Sequence, residues 1–251
     1  MDLDLTDRVY LLTGAGRGLG RATADCLVAE GARVVLSGRS EATLRDAAEA
    51  LGDAAVTVVA DNADPATPAR LLASAHERWG RVDGALVSVG GPPKGPVTGI
   101  SDAQWSAAFE SVFLGAVRLC RELGPALPRG GSLALVLSSS VRSPLPDMAI
   151  SNVLRPGLAM VAKTLADELG PVGVRVNALL PGRIGTDRVQ ELDDATGDPE
   201  RARASAIRGI PLRRYGDPEE FGRVATFLLS PAASFVCGSM VPVDGGMLRS
   251  L

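Results

Sequence analysis

Short apolar runs recur along the chain, and each is followed by a longer stretch in which apolar positions return every three or four residues. The runs predict strands at Arg8–Leu12, Arg33–Ser37, Val56–Ala60, Gly84–Val89, Ser132–Ser138, Val174–Leu180 and Met240–Val243. The stretches between them predict amphipathic helices at Gly18–Glu30, Glu41–Leu51, Ala66–Trp79, Asp102–Leu123, Pro156–Leu169 and Pro218–Leu229. Asp217 before Pro218 has the form of an N-cap followed by proline in the first turn. The strands are apolar on both faces, as a parallel sheet covered by helices on each side requires. Repeated strand–helix units of this length imply right-handed crossovers and an α/β, doubly wound sheet. No linker, repeat or low-complexity tract divides residues 1–251, so one domain is expected. The longest segment without a strand, about Gly182 to Ser239, has to pack over one end of the sheet. Within it residues 186–210, with the charged stretch Gln190–Arg208, form either a substrate-covering segment or a solvated pair of surface helices.

Composition narrows the class. A net charge of −3 without basic runs gives no footing for nucleic acid. Cys26, Cys120 and Cys237 are far apart and lack metal-ligand spacing, which suits free thiols in a reducing compartment and no metal site. No apolar run approaches the ~20 residues that cross a bilayer, and the acidic start Met1-Asp2-Leu3-Asp4 lacks a signal pattern. The expected setting is the cytoplasm, away from membranes.

The first strand runs directly into Thr13-Gly14-Ala15-Gly16-Arg17-Gly18-Leu19-Gly20 and then a helix. Glycines there allow a tight turn and let backbone N–H groups approach a pyrophosphate at the helix N-terminus. The spacing differs from Gly-x-Gly-x-x-Gly and resembles that of the short-chain dehydrogenase/reductase family, in particular its 3-oxoacyl-carrier-protein reductase-like members. Further landmarks follow in order. Asp61 lies after the third strand, where the resemblance implies an adenine contact, and Gly90 stands after the fourth. Arg175-Val176-Asn177 precedes Pro181-Gly182-Arg183-Ile184-Gly185-Thr186, which is similar to the family's nicotinamide-side motif, and Asp244-Gly245-Gly246 closes the series. The resemblance implies a Rossmann-type seven-stranded sheet, a small-molecule substrate and a homodimer or homotetramer. Strand two ends Ser37-Gly38-Arg39-Ser40, with no acid to accept from the adenine-ribose hydroxyls. Arg39 and Arg17 offer forks for a 2′-phosphate instead, so NADP is expected in preference to NAD.

In that family a serine, a tyrosine, a lysine and an asparagine carry carbonyl reduction. Ser138 occupies the serine position. By the flanking helix Thr164–Leu169, the tyrosine position holds Ser151 and the lysine position Arg155, and Val112 stands where the asparagine would be. Serine is a far weaker acid than a phenol of pKa ~10 and is shorter. Arg155 keeps its charge and can hold ribose hydroxyls or a developing alkoxide. Tyr10 and Tyr215 fall elsewhere in the pattern and do not replace the phenol. His76 and Lys163 read as solvated helix residues, and Ser139, Ser140 and Arg142 either contact substrate or shape a turn. Pro156 and Gly157 weaken a helix at this point, so Ser151 and Arg155 need not share one face. Two functions remain open: an NADP(H)-dependent oxidoreductase with a non-standard proton path through Ser138, Ser151 and Arg155, or a catalytically silent homologue acting as a cofactor sensor or as the partner of an active subunit in a mixed oligomer.

Overall fold

The computed structural model describes residues 1–250. Seven parallel strands form one sheet in the order β3-β2-β1-β4-β5-β6-β7. They are β1 (Val9–Thr13), β2 (Arg33–Gly38), β3 (Ala55–Val59), β4 (Gly84–Ser88), β5 (Ser132–Val136), β6 (Arg175–Pro181) and β7 (Met240–Val243). Every predicted strand is present: Met240–Val243 coincides with β7, and the others differ by a residue or two at one or both ends. Side chains alternate across the pleat, so both faces need cover. Val9 and Leu11 join a core with Leu71, Leu119, Cys120, Leu158 and Ala162, under α3 (Thr67–Trp79), α5 (Gly115–Leu123) and α6 (Ala149–Leu169). Tyr10 and Leu12 face the opposite core with Ala24, Leu44, Phe221 and Ala225, under α1 (Gly18–Ala29), α2 (Glu41–Leu51) and α9 (Pro218–Leu229). The strand order reverses between β1 and β4, which opens a crevice at their carboxyl ends.

Two helices depart from expectation. The stretch predicted as one helix over 102–123 is α4 (Asp102–Ala108) and α5, joined by a π turn over Phe109–Leu114. The helix expected to begin at Pro156 begins at Ala149 and runs unbroken through the proline. An interior proline costs about 3 kcal/mol. Burial of Ile150, Leu154, Leu158 and Ala162 along one face outweighs it, at roughly 1.5–3 kcal/mol for each large side chain. Asn152, whose carbonyl would have met the missing N–H, ties the helix start to Leu145: its Oδ1 accepts from Leu145 N at 3.0 Å and its Nδ2 donates to Leu145 O at 2.8 Å. Ser151 and Arg155, four residues apart, therefore share a face.

Between β6 and β7 lie α7 (Asp187–Asp194), α8 (Pro199–Arg208) and α9. The last part of the chain is fastened to β6 by buried polar groups. Arg175 donates to Leu228 O at 2.8 Å and Ser230 O at 2.9 Å, and Asn177 donates to Val236 O at 2.8 Å. No helix among the described residues is long and apolar enough to cross a membrane.

Candidate active site at the carboxyl edge of the sheet

The turn between β1 and α1 is built for close backbone approach. Gly14 and Gly18 have φ of 61° and 59°, the left-handed region that favours glycine. A Cβ on Gly20 would lie 2.5 Å from Gly14 O, so the first turn of α1 packs directly on the loop. Gly16 is half-buried against Thr43, and Leu19 packs into the core beneath. Thr13 is buried and joins the two strands at the reversal point: its Oγ1 donates to Ser88 O at 2.7 Å and accepts from Ser88 N at 2.8 Å. Gly90, just past β4, is exposed, and a Cβ there would meet nothing within 4 Å, so it borders open space. Pro181 and Gly182 leave β6 on the opposite wall, where a Cβ on Gly182 would lie 2.7 Å from that of Asp244. Ile184 is buried and bridges to Gly216, which turns Thr186 toward the glycine loop. A Cβ on Gly18 would lie 3.7 Å from Thr186 Cγ2.

Charges around this cradle divide. Arg39 is exposed at the end of β2, next to Ser40, which caps α2. Arg17 is exposed and leans toward α7, 3.8 Å from Asp187 and 3.7 Å from Glu191. Asp61 is exposed, its carboxylate accepting from Ala63 N at 2.9 Å.

Across the crevice Ser138 is half-buried, with its Oγ accepting from Ser140 N at 3.1 Å. Ser140 Oγ lies 3.1 Å from Ser151 Oγ, and both residues are buried. Behind them Arg155 is only 5 % exposed. Its Nη1 donates to Val136 O at 2.7 Å, and its Nη2 reaches Val89 O and Gly90 O at 3.4 Å. The guanidinium thus clasps the carboxyl ends of β4 and β5, and its Nε has no partner among the described residues. Burial pulls its pKa down to about 10, so it remains a cation at neutral pH.

The tyrosines lie apart from this cluster. Tyr10 is buried in β1, its hydroxyl 3.4 Å from Leu229 O, and burial pushes its pKa well up. Tyr215 is buried and donates to Asp193 Oδ2 at 2.9 Å; burial and that bond push its pKa to about 12. It lines a cavity of about 280 Å³ with Thr186, Gln190 and Arg203. Tyr215 therefore supports the segment beside the crevice, closer to it than its position in the sequence implies.

Residues 14–248 match the family described as Enoyl-(Acyl carrier protein) reductase. Levodione reductase of Leifsonia aquatica is 36 % identical over 257 residues, covering 96 % of this chain and 94 % of the relative. The chain belongs to the short-chain dehydrogenase/reductase family. L-Sorbose reductase from Gluconobacter frateurii, solved with NADPH and L-sorbose, superposes on this short-chain dehydrogenase/reductase with a TM-score of 0.92 at 32 % identity, each chain covered completely. A short-chain oxidoreductase from Pseudomonas aeruginosa, described as containing an atypical catalytic center, has a TM-score of 0.91 at 27 % identity, covering 99 % of this chain and all of the other.

Within this short-chain dehydrogenase/reductase, the glycine loop, Gly90 and the 181–186 segment come together around one crevice; beside it Ser138 is linked to Ser151 through Ser140, with Arg155 one turn further along α6. Three cations at its rim, Lys94, Arg183 and Arg188, are not distinguishable in the sequence from ordinary surface charge. The loop after β4 and helix α7, distant in sequence, bring them together. Val112 is buried within the π turn.

Proposed function

We propose that the protein is an NADP(H)-dependent oxidoreductase acting on a carbonyl or hydroxyl substrate, with a proton path unlike its family's usual one. The glycine cradle at the β1–β4 reversal carries this reading. Gly14 and Gly18 adopt left-handed geometry, the contact between Gly20 and Gly14 leaves no room for a side chain, and Gly90 keeps the floor of the crevice clear. The residues present fit a dinucleotide. Backbone N–H groups at the start of α1 would hold its pyrophosphate, Arg39 and Arg17 a 2′-phosphate, Asp61 the adenine side, and Pro181, Gly182, Ile184 and Thr186 the nicotinamide side. The cofactor supplies a hydride to, or accepts one from, the substrate carbon. NADPH in the solved L-sorbose reductase supports the choice of cofactor.

This chain's residues then have to hold a carbonyl oxygen and deliver a proton. Ser138 keeps a hydroxyl at the rim, since Ser140 N occupies only an acceptor site of its oxygen. Ser140 and Ser151 form a separate buried hydroxyl pair beside it, and the Arg155 cation is held one helical turn beyond Ser151 by Val136 O. We assign Ser138 to orienting the oxygen and Arg155 to a fixed positive field that stabilises developing negative charge. The proton reaches the oxygen from solvent at the rim across the Ser138 hydroxyl, which gives one proton and takes one back, since a serine is too weak an acid to replace a phenol. Residues 186–210 serve as the substrate-covering segment, with α7 tied to the loop after β4 through Arg188 and Pro92 O.

The burial of Ser151 and Arg155, at 3 % and 5 % exposure, favours a second reading: a cofactor-binding homologue without turnover, acting as a sensor or in a mixed oligomer. Phe109, Val153 and Met160, exposed at 47 %, 56 % and 67 %, give the helical side of the molecule an apolar surface for a second copy or a related active subunit. Titration with NADPH and NADH, followed by NADPH oxidation against a panel of ketones, separates the readings. NADPH-selective binding with turnover that Ser138→Ala suppresses supports the oxidoreductase. Binding without turnover supports the silent homologue.

A further inference from the structure

The side of the crevice away from the glycine loop is rimmed by cations from two elements. The loop after β4 is pinned to the start of α6: Gly95 N donates to Asp147 O at 2.8 Å, and Ala149 N donates to Gly95 O at 3.2 Å. This places Lys94 beside the approach to Ser151. Helix α7 closes from the other side. Arg188 Nη2 donates to Pro92 O at 3.3 Å, Lys94 Nζ donates to Leu192 O at 3.1 Å, and Arg183 Nη1 lies 3.4 Å from Asp193 Oδ1. Lys94, Arg183 and Arg188 therefore meet along one seam.

Two of the three have an acid: Asp193 pairs with Arg183 at 3.4 Å, and Glu191 pairs with Arg188 at 3.3 Å while also lying 3.7 Å from Arg17, so the surplus positive charge at the seam is that of Lys94. Among the described residues Lys94 makes no ion pair, and its one hydrogen-bond acceptor is a backbone carbonyl. Burial, then the fields of Arg183 and Arg188, lower its pKa, with Asp193 and Asp147 acting in the opposite direction. Like charges gathered at a half-enclosed rim are relieved when an anion binds between them. The cofactor's 2′-phosphate belongs elsewhere: Arg39 follows β2, and β2 and β4 lie on opposite sides of β1. Arg183 and Arg188 are half-buried between a loop and a helix, which suits a small ligand better than a protein surface.

Resting on the oxidoreductase reading, we propose that Lys94, Arg183 and Arg188 bind the anionic end of the substrate, a small carbonyl compound bearing a carboxylate or a phosphate, and so present its carbonyl to Ser138.

Matched ligands test this by calorimetry on the free and the NADPH-loaded protein: acetoacetate against methyl acetoacetate, and dihydroxyacetone phosphate against dihydroxyacetone. The expected result is that one anion binds roughly tenfold or more tightly than its neutral twin. The pair that discriminates tells carboxylate from phosphate. In Lys94→Gln/Arg188→Gln the ratio falls to about one, with melting temperature and NADPH affinity unchanged. A ratio near one in the wild-type protein for both pairs, absence of binding included, overturns the proposal. So does a preference that survives in the double variant. NADPH oxidation with the same compounds separates the two readings. Anion preference without turnover leaves the seam standing and counts against hydride transfer, whereas turnover without anion preference does the reverse.

Discussion

The glycine loop and the serine–arginine cluster occupy the same carboxyl edge of the sheet, a strand or two apart, and treat polar groups in opposite ways. In the loop, Gly14, Gly18 and Gly20 put bare backbone at the head of α1, where the first N–H groups of a helix have no partner within it. In the cluster, Ser151 is bonded to Ser140, and Arg155 is clasped to carbonyls at the ends of β4 and β5. One region leaves backbone free for the cofactor proposed above, whereas the other is bonded largely to its own fold. A charged side chain can thus occupy a reaction-centre position while its geometry serves the scaffold, and stability as well as turnover has to be measured to tell what it does.

The sharpest way to break this contrast is Arg155→Ala. Removing the clasp leaves the carbonyls of Val136, Val89 and Gly90 without their donor and opens a void, for an expected loss of about 3 kcal/mol in urea unfolding. A loss below about 0.5 kcal/mol would show that the residue is not part of the scaffold. Next is Gly20→Ala, whose methyl group would press on Gly14 O. It should weaken NADPH binding by about tenfold or more and lower stability by roughly 1–3 kcal/mol, read by fluorescence titration and melting temperature. Unchanged affinity would detach the cradle from the cofactor. Arg39→Ala should weaken NADPH by about tenfold and leave NADH untouched; equal effects on both would remove the 2′-phosphate assignment. The smallest effect is expected from Ser140→Ala, about 1 kcal/mol, because it leaves the buried Ser151 hydroxyl without its side-chain partner.

The two regions also differed in how far the sequence disclosed them. Glycine spacing is a backbone constraint set within a few residues, so the loop and its setting between strand and helix were readable directly. The strands were readable for a similar reason, since runs apolar on both faces demand cover on both sides. The reaction centre depended on contacts between distant residues. Nothing local at Arg155 indicates that it reaches Val136 and Gly90, and nothing in the charged run of α7 marks Arg188 as facing Pro92. The local cost of Pro156 is visible in the sequence, but the tertiary burial of Leu154 and Leu158 that outweighs it is not. The sequence position of Tyr215 gives no sign of its place beside Thr186, which the bridge from Ile184 to Gly216 brings about.

Arg175 has a bearing on synthesis. Its partners, Leu228 O and Ser230 O, leave the ribosome more than fifty residues after it. Six strands can pair before β7 exists, but until then β6 offers a bare edge to other chains and Arg175 has no carbonyls to hold. The end of the chain is therefore the clasp of the nascent sheet, and a ribosome stalled before residue 228 would release a chain prone to edge-on association.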